Sequence, residues 1–361
     1  MTQPYGRPAQ SAWGAPAASS GFAGQGFPGA GFPAGNGFPA QQPASAPAWS
    51  GGPNRPAGPN RPAGRSKPLL VVLITGIALV VVAIAVLIIV ALTTGGGDTR
   101  YVNEDYTPPP VDAAPGPLPQ PQTGAEANAF LTENPLYQQA IPTPVKCELE
   151  PIDLNASSDE QIEVHLNELM GCLHGAWVVP LEAAGYELPR PSVTVYSSQV
   201  TTKCGELPME NAVYCSGDQQ IYYANDYHLA RTSIAESRWG VDLVMGHEFG
   251  HHVQGRTGIL ISNHLLRRAA TSEAESMTMN RRSEAQADCF AGLFMRTASV
   301  ALGLTDADVE AFKRDRAGAG SPRPGTTHPQ SESRVYWAST GLSTDAVGSC
   351  NTFSAPEETV Q

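Results

Sequence analysis

The sequence predicts an α+β domain, mainly helical with a small antiparallel sheet, preceded by a disordered tail and one transmembrane helix. Three observations predict it. Apolar residues recur at helical spacing at Ile162, Leu166, Leu169, Leu173 and Trp177, and the stretches Val241–Gln254 and Glu273–Ala298 read as two further long helices. Alternating β-branched runs mark short strands at Val193–Tyr196 and across Asn211–Asn225, the latter folding back at Ser216–Asp218. Leu69–Leu92 is an uncharged, almost wholly apolar run of 24 residues. About 20 such residues cross a bilayer's hydrocarbon core as a helix.

Composition divides the chain further. With 36 Gly, 32 Pro and only 16% charged residues among 361, one uniform packed globule is not expected. Residues 1–67 repeat GFPGAGFPAGNGFPA from Gly26 and GPNRPA twice from Gly52, with too few aliphatic side chains to offset chain entropy. This predicts a disordered Pro/Gly-rich cytoplasmic tail, able to offer short Pro-rich motifs to a cytoplasmic partner. Residues 68–92 form the expected transmembrane helix, and the Pro-dense residues 93–122 an extended spacer. Residues 123–354 have the composition of an ordinary globule, long enough for one domain with a real core, and 355–361 read as a flexible C-terminus.

Charge and cysteine divide at the same apolar run. Residues 1–67 hold Arg7, Arg55, Arg61, Arg65 and Lys67 and no acid, so the formal charge of −12 leaves −17 for the remainder. An acidic C-terminal part excludes nucleic-acid binding as a function, because phosphate contacts need an excess of Lys and Arg. The cations crowding the entry to the run orient it with the N-terminus in the cytoplasm and the C-terminal domain outside. All six cysteines follow the run, an even set placed on the side expected to be oxidising.

Locally, Ser157 or Ser158 stands before DEQIEVHLNELMGCLHGAWVV as an N-cap, so that helix starts there. A polar stretch containing Gly255 and Gly258 separates the two later helices, and Gly318–Pro329 is a Gly/Pro-rich loop.

The chemistry is concentrated in VDLVMGHEFGHHVQG. His247 and His251, four apart, share one helical face, so both imidazoles can reach one metal ion. Glu248 falls beside that face, placed to act on a water: this is HExxH, the zinc-hydrolase helix. A catalytic zinc needs a third protein ligand and an open position. The candidates are His252, His264, Glu273, Glu275, Glu284 and His328. A third histidine at position 257 is excluded, since that residue is Thr, and His252 lies about 100° round the helix from His251. In RRSEAQADCFAG, Glu284 and Asp288 again share one face, and two close carboxylates on an apolar helix need positive charge nearby. Glu284 is therefore the expected third ligand, and Asp288 the acceptor that orients a ligand imidazole through its other N–H. The competing expectation is a solvent-facing acidic pair beside Arg281 and Arg282.

HEFGHHVQ, followed by SEAES and EAQADCFAG, resembles the neutral zinc metallopeptidases of bacteria, as do CGELPMENAVYCSGDQQIYY upstream and THPQSESRVYWASTGL downstream. The resemblance spans most of residues 145–350. It implies a zincin-like metalloprotease domain with Zn2+ as cofactor and a peptide or protein substrate. It also implies His247, His251 and Glu284 as ligands and Glu248 as general base. His328 stands in the closing block, which departs from the family in reading Thr327-His328-Pro329-Gln330. An oxyanion-stabilising role and a structural hydrogen bond are both open to it. Six cysteines allow fifteen connectivities. The resemblance selects Cys204 with Cys215, Cys147 with Cys172, and Cys289 with Cys350. An idle zinc-binding interaction module and a zinc amidase acting on cell-wall peptides share every one of these ligands, and both stay open.

Overall fold

In the computed structural model the described residues are 82, 84, 100–320 and 327–361. The expected tail and nearly all of the apolar run lie outside them. Among the described residues no helix is long and apolar enough to cross a membrane.

The elements are α1 Gly124–Thr132, α2 Asp159–Ala183, β1 Val193–Tyr196, β2 Thr201–Thr202, β3 Gly205–Glu206, β4 Ala212–Cys215 and β5 Gln220–Ala224. Two short helices, α3 Tyr227–Ala230 and α4 Thr232–Glu236, lead into α5 Gly240–Arg256, α6 Ile259–Ala269, α7 Glu273–Ala298, α8 Asp306–Gly318 and α9 Ser331–Leu342. Helix α2 starts at a capping box: Ser158 Oγ accepts from the Gln161 amide at 3.3 Å and the Gln161 side chain accepts from the Ser158 N–H at 2.9 Å. Its apolar stripe, Ile162 through Trp177, is buried, and Trp177 tilts against Phe290 of α7 with ring centroids 4.9 Å apart. Such a pair adds about 0.5–1.5 kcal/mol beyond its buried area.

Small residues let the central helices touch backbone to backbone. A Cβ on Gly250 of α5 would lie 3.0 Å from Ala287 Cα of α7, and one on Gly246 would lie 3.5 Å from the Ala291 Cβ. On the opposite side of α7, Gly292 and Gly341 of α9 nest so closely that a Cβ on either would collide with the carbonyl oxygens of Ala338 and Cys289. Helix α7 is thus clamped between α5 and α9, and whatever side chains flank those glycines face each other at short range.

The sheet is mixed, which corrects the expectation of an antiparallel one. Its order is β1-β5-β4, with β4 antiparallel to β5 across the foreseen turn and β1 parallel to β5. The reason is the connection: β1 reaches β5 only after the separate β2–β3 ribbon and β4, so it enters β5's other edge in the same direction. Strands β1 and β4 are left as the two edges.

Three further expectations change. The polar stretch after α5 contains α6, which starts at Gly258 with φ 76°, a left-handed conformation that glycine adopts without strain. The expected spacer, where described, is packed onto the domain. The Tyr106 ring stacks on His174, Pro108 covers Gly171, and Leu118 is buried. Its carbonyls, which a Pro-rich chain cannot pair internally, take donors from elsewhere: Gly116 O accepts from Gln219 and Arg256 at 2.8 and 2.9 Å, and Asp112 O from Gln220 at 2.9 Å. The C-terminal segment is likewise docked: Val360 is fully buried, Arg281 donates to its carbonyl, and Trp337 Nε1 donates to Thr359 O.

The structure contains disulfides Cys147–Cys172, Cys204–Cys215 and Cys289–Cys350. The last closes the longest loop, 61 residues in separation. Chain-entropy arguments give such a link about 4 kcal/mol of stability. Replacing Cys289 and Cys350 together by Ala is expected to lower the unfolding free energy by about that amount, read from the urea midpoint and slope together, since releasing the loop also expands the unfolded chain.

Candidate metal centre

The clamp of α5 on α7 sets the site. Gly250 lies between His247 and His251 in sequence, and Ala287 between Glu284 and Asp288, so the close approach at Gly250 and Ala287 brings the imidazoles to the carboxylates. His247 Nε2 is 3.3 Å and His251 Nε2 3.6 Å from Glu284 Oε2, and the two rings stand nearly perpendicular with centroids 4.8 Å apart. Two donor atoms each ~2.1 Å from a tetrahedral zinc are separated by roughly 3.4 Å, so these spacings suit one shared ion. The ligand atoms of His247, His251 and Glu284 all lie within 4.8 Å of one another. Two nitrogens and a carboxylate oxygen are also the donor set that a catalytic zinc uses, leaving a further position open.

The electrostatics tell the same story. Burial opposes charge on His251, but the Glu284 carboxylate outweighs it, and with help from Glu248 and Gln254 the imidazole pKa is pushed up to about 9. Burial likewise opposes ionisation of Glu284, yet the charge of His251 and hydrogen bonds from both histidines hold its carboxyl well below the usual range. The proton on His251 does here what a divalent cation would do, and metal uptake should displace it.

Each of the two imidazoles is held from behind. His247 Nδ1 is 2.8 Å from Asp288 Oδ1, and His251 Nδ1 is 2.8 Å from Gln254 Oε1. Gln254 is itself fixed, donating through Nε2 to Ser283 O at 2.8 Å and to Gln286 Oε1 at 3.0 Å. Asp288 is fully buried and carries two arginines: Arg334 reaches both its oxygens, Nε to Oδ2 at 2.7 Å and Nη2 to Oδ1 at 2.8 Å, and Arg316 Nη1 lies 3.0 Å from Oδ1. Burial would favour the neutral acid, but Arg334 and His247 keep Asp288 ionised at any working pH.

Gln254, Arg316 and Arg334 were missed by sequence reasoning. Gln254 had a local signal, three residues beyond His251 on the ligand helix. The arginines had none, since α8 and α9 reach the site only through the fold. The positive charge that the carboxylate pair demands is therefore divided: Glu284 faces the imidazoles, and Asp288 is balanced mainly by Arg334 and His247, with Arg316, itself paired to Asp315, also in reach. The competing solvent-facing arrangement is absent. Arg281 and Arg282 instead bond the C-terminal segment, at the carbonyls of Val360 and Ala355.

Other candidates fall away from the ligand group. His252 is fully buried between Tyr214 and Phe249, pairs with Pro189 O at 2.9 Å, and burial drops its pKa to about 3. Glu275 accepts from the Thr271 amide at the start of α7, and His264 is exposed on α6. His328 does reach the site, its Nε2 3.5 Å from Glu284 Oε2 with half of the side chain exposed. Glu248 is buried and accepts from the Tyr214 backbone N–H at 2.8 Å, which ties the expected base to edge strand β4. Glu248 and His328, together with His247, His251 and Glu284, line an open cleft of about 310 Å³ between β4, α5 and the start of the closing segment.

The family model described as "Putative neutral zinc metallopeptidase" matches residues 134–353. "Uncharacterized protein Rv2575" of Mycobacterium tuberculosis is 30% identical over 193 residues, covering 46% of this chain and 64% of its own length. "Uncharacterized protein YpfJ" of Escherichia coli K12 is 23% identical over 244 residues, covering 64% of this chain and 81% of its own. The chain thus spans just under two thirds of the mycobacterial relative. No solved structure matches.

Asp288→Asn would leave the buried Arg334 guanidinium without its carboxylate and remove the charged partner of His247. Zinc affinity is expected to fall about 10–100-fold, measured by competition with a chelator of known affinity.

Proposed function

The chain belongs to the neutral zinc metallopeptidase family, and from that premise we propose that it hydrolyses peptide bonds by zinc-assisted attack of water. The observation that carries this is the convergence of His247, His251 and Glu284 in an open cleft with Glu248 beside them. Zinc, when bound, supplies Lewis acidity: it acidifies a water and polarises a carbonyl. Glu248 takes the proton from the attacking water and passes it to the leaving amine. Its hydrogen bond from the Tyr214 N–H holds one oxygen toward β4, so the carboxylate keeps a fixed direction between the strand and the metal ligands. Strand β4, open on the side away from β5, offers backbone groups to an extended peptide along the cleft.

His328, at the cleft mouth, donates to the carbonyl oxygen as negative charge develops there. Asp288 and Gln254 do not touch substrate: they fix the ring orientation of His247 and His251. We place this domain outside the membrane, anchored through Leu69–Leu92 with the Pro/Gly-rich tail in the cytoplasm and free to dock a partner. The placement rests on the run's length, the flanking cations and the cysteine distribution.

Glu248→Gln is expected to keep zinc and to cleave casein about 10²–10⁴-fold more slowly than wild type. Equal rates would remove Glu248 from its role, and stoichiometric zinc without turnover in the wild type would leave an idle binding module. His328→Ala is expected to lower kcat about 10²-fold with KM little changed, by initial-rate kinetics on a defined peptide.

A further inference from the structure

Beyond His251 and Glu284 the cleft continues into a second pocket of about 270 Å³ formed between α6 and α7. The two spaces share His251, Leu260 and Glu284 as walls, so a peptide whose scissile bond sits at the metal ligands has this pocket as its neighbour. Its far wall carries Arg267 and Asn280.

Arg267 differs from an ordinary cation at a helix end. Arg268, next to it in the last turn of α6, is exposed in the usual way, whereas Arg267 is half-buried and turned into the pocket. Its guanidinium is positioned by one donation, Nη1 to the amide oxygen of Asn280, and makes no ion pair with a carboxylate among the described residues. The acid that acts on it is Glu284, whose Oε2 is already directed at His247, His251 and His328. A positive charge held by a neutral amide, short of a carboxylate, in the wall of a substrate cleft and within an acidic protein, lacks a counter-ion that a ligand can supply.

We propose that Arg267 forms a specificity subsite for a substrate carboxylate, carried either by an acidic side chain near the scissile bond or by the C-terminal end of the peptide. This rests on the metallopeptidase reading. The planar fork of an arginine suits a carboxylate in two-point contact, and hydrogen bonds between charged groups of this kind are worth about 10–100-fold in binding.

The test uses the zinc-loaded full chain and peptides of one sequence that carry Glu or Gln at positions flanking the scissile bond, each with a free or an amidated C-terminus. Binding to Glu248→Gln is measured by calorimetry, and kcat/KM with wild type. Carboxylate-bearing peptides should exceed their neutral counterparts about 10–100-fold in both, Arg267→Gln should bring that ratio to within about 2-fold, and Arg267→Lys should keep part of it. A gain that follows the Glu position identifies a side chain, and one that follows the free terminus identifies the chain end; either upholds the subsite. A ratio near one in the unaltered pocket, or one that survives Arg267→Gln in folded protein, overturns it. Cleavage without carboxylate preference removes the subsite alone, while carboxylate-selective binding without cleavage of any peptide removes the hydrolase and leaves the subsite.

Discussion

The arrangement of the site depends on the contact of α5 with α7 at Gly250 and Ala287. Because Gly250 has no side chain and Ala287 only a methyl group, the two helices approach closely there, and imidazole and carboxylate meet directly. Everything else preserves that contact. The Cys289–Cys350 bridge and the nested glycines of α7 and α9 hold α7 from its other side. Helix α9 thereby carries Arg334 onto Asp288, so the residue that orients His247 is itself oriented by the far side of the fold.

Burying a carboxylate with two guanidinium groups is costly unless every charge finds its partner. Here the cluster does more than balance charge. Asp288 accepts from His247 on one side and from Arg334 on the other, which leaves the imidazole Nε2 as the atom turned to Glu284. The second histidine is treated differently, held by the neutral Gln254 rather than by an acid. The two imidazoles are thus oriented by unlike partners, His247 by a buried carboxylate and His251 by a neutral amide.

How much of this could be read from the sequence follows from the range over which each signal acts. Helix-borne spacings are local, so His247, Glu248 and His251, and the pair Glu284 and Asp288, were legible as faces of two helices, as was the Ser158 cap. The β4–β5 hairpin was legible for the same reason. The parallel pairing of β1 was not, because strand direction depends on a connection and not on alternation. Arg316 and Arg334 were invisible because their target lies 28 and 46 residues away in the chain. Helix α6 was legible in principle, since ILISNHLLRRA is amphipathic, but Gly255 and Gly258 before it read as a break in regular structure. Pro density at 100–122 was read as stiffness, which is correct for an isolated peptide. What it could not disclose is that Arg190, Gln219, Gln220 and Arg256 wait on the domain surface to bond its carbonyls.

That last association bears on where the folded unit begins. A version trimmed to residue 123 would keep every side chain of the metal centre and still lose the lining of its own flank. Tyr106 would leave His174, Leu118 would leave a bare apolar hollow, and Arg256, the closing residue of the helix that bears both histidines, would lose its acceptor at Gly116. Soluble fragments intended for biochemistry should therefore start no later than residue 100, with the Pro-rich strap treated as structural rather than disposable.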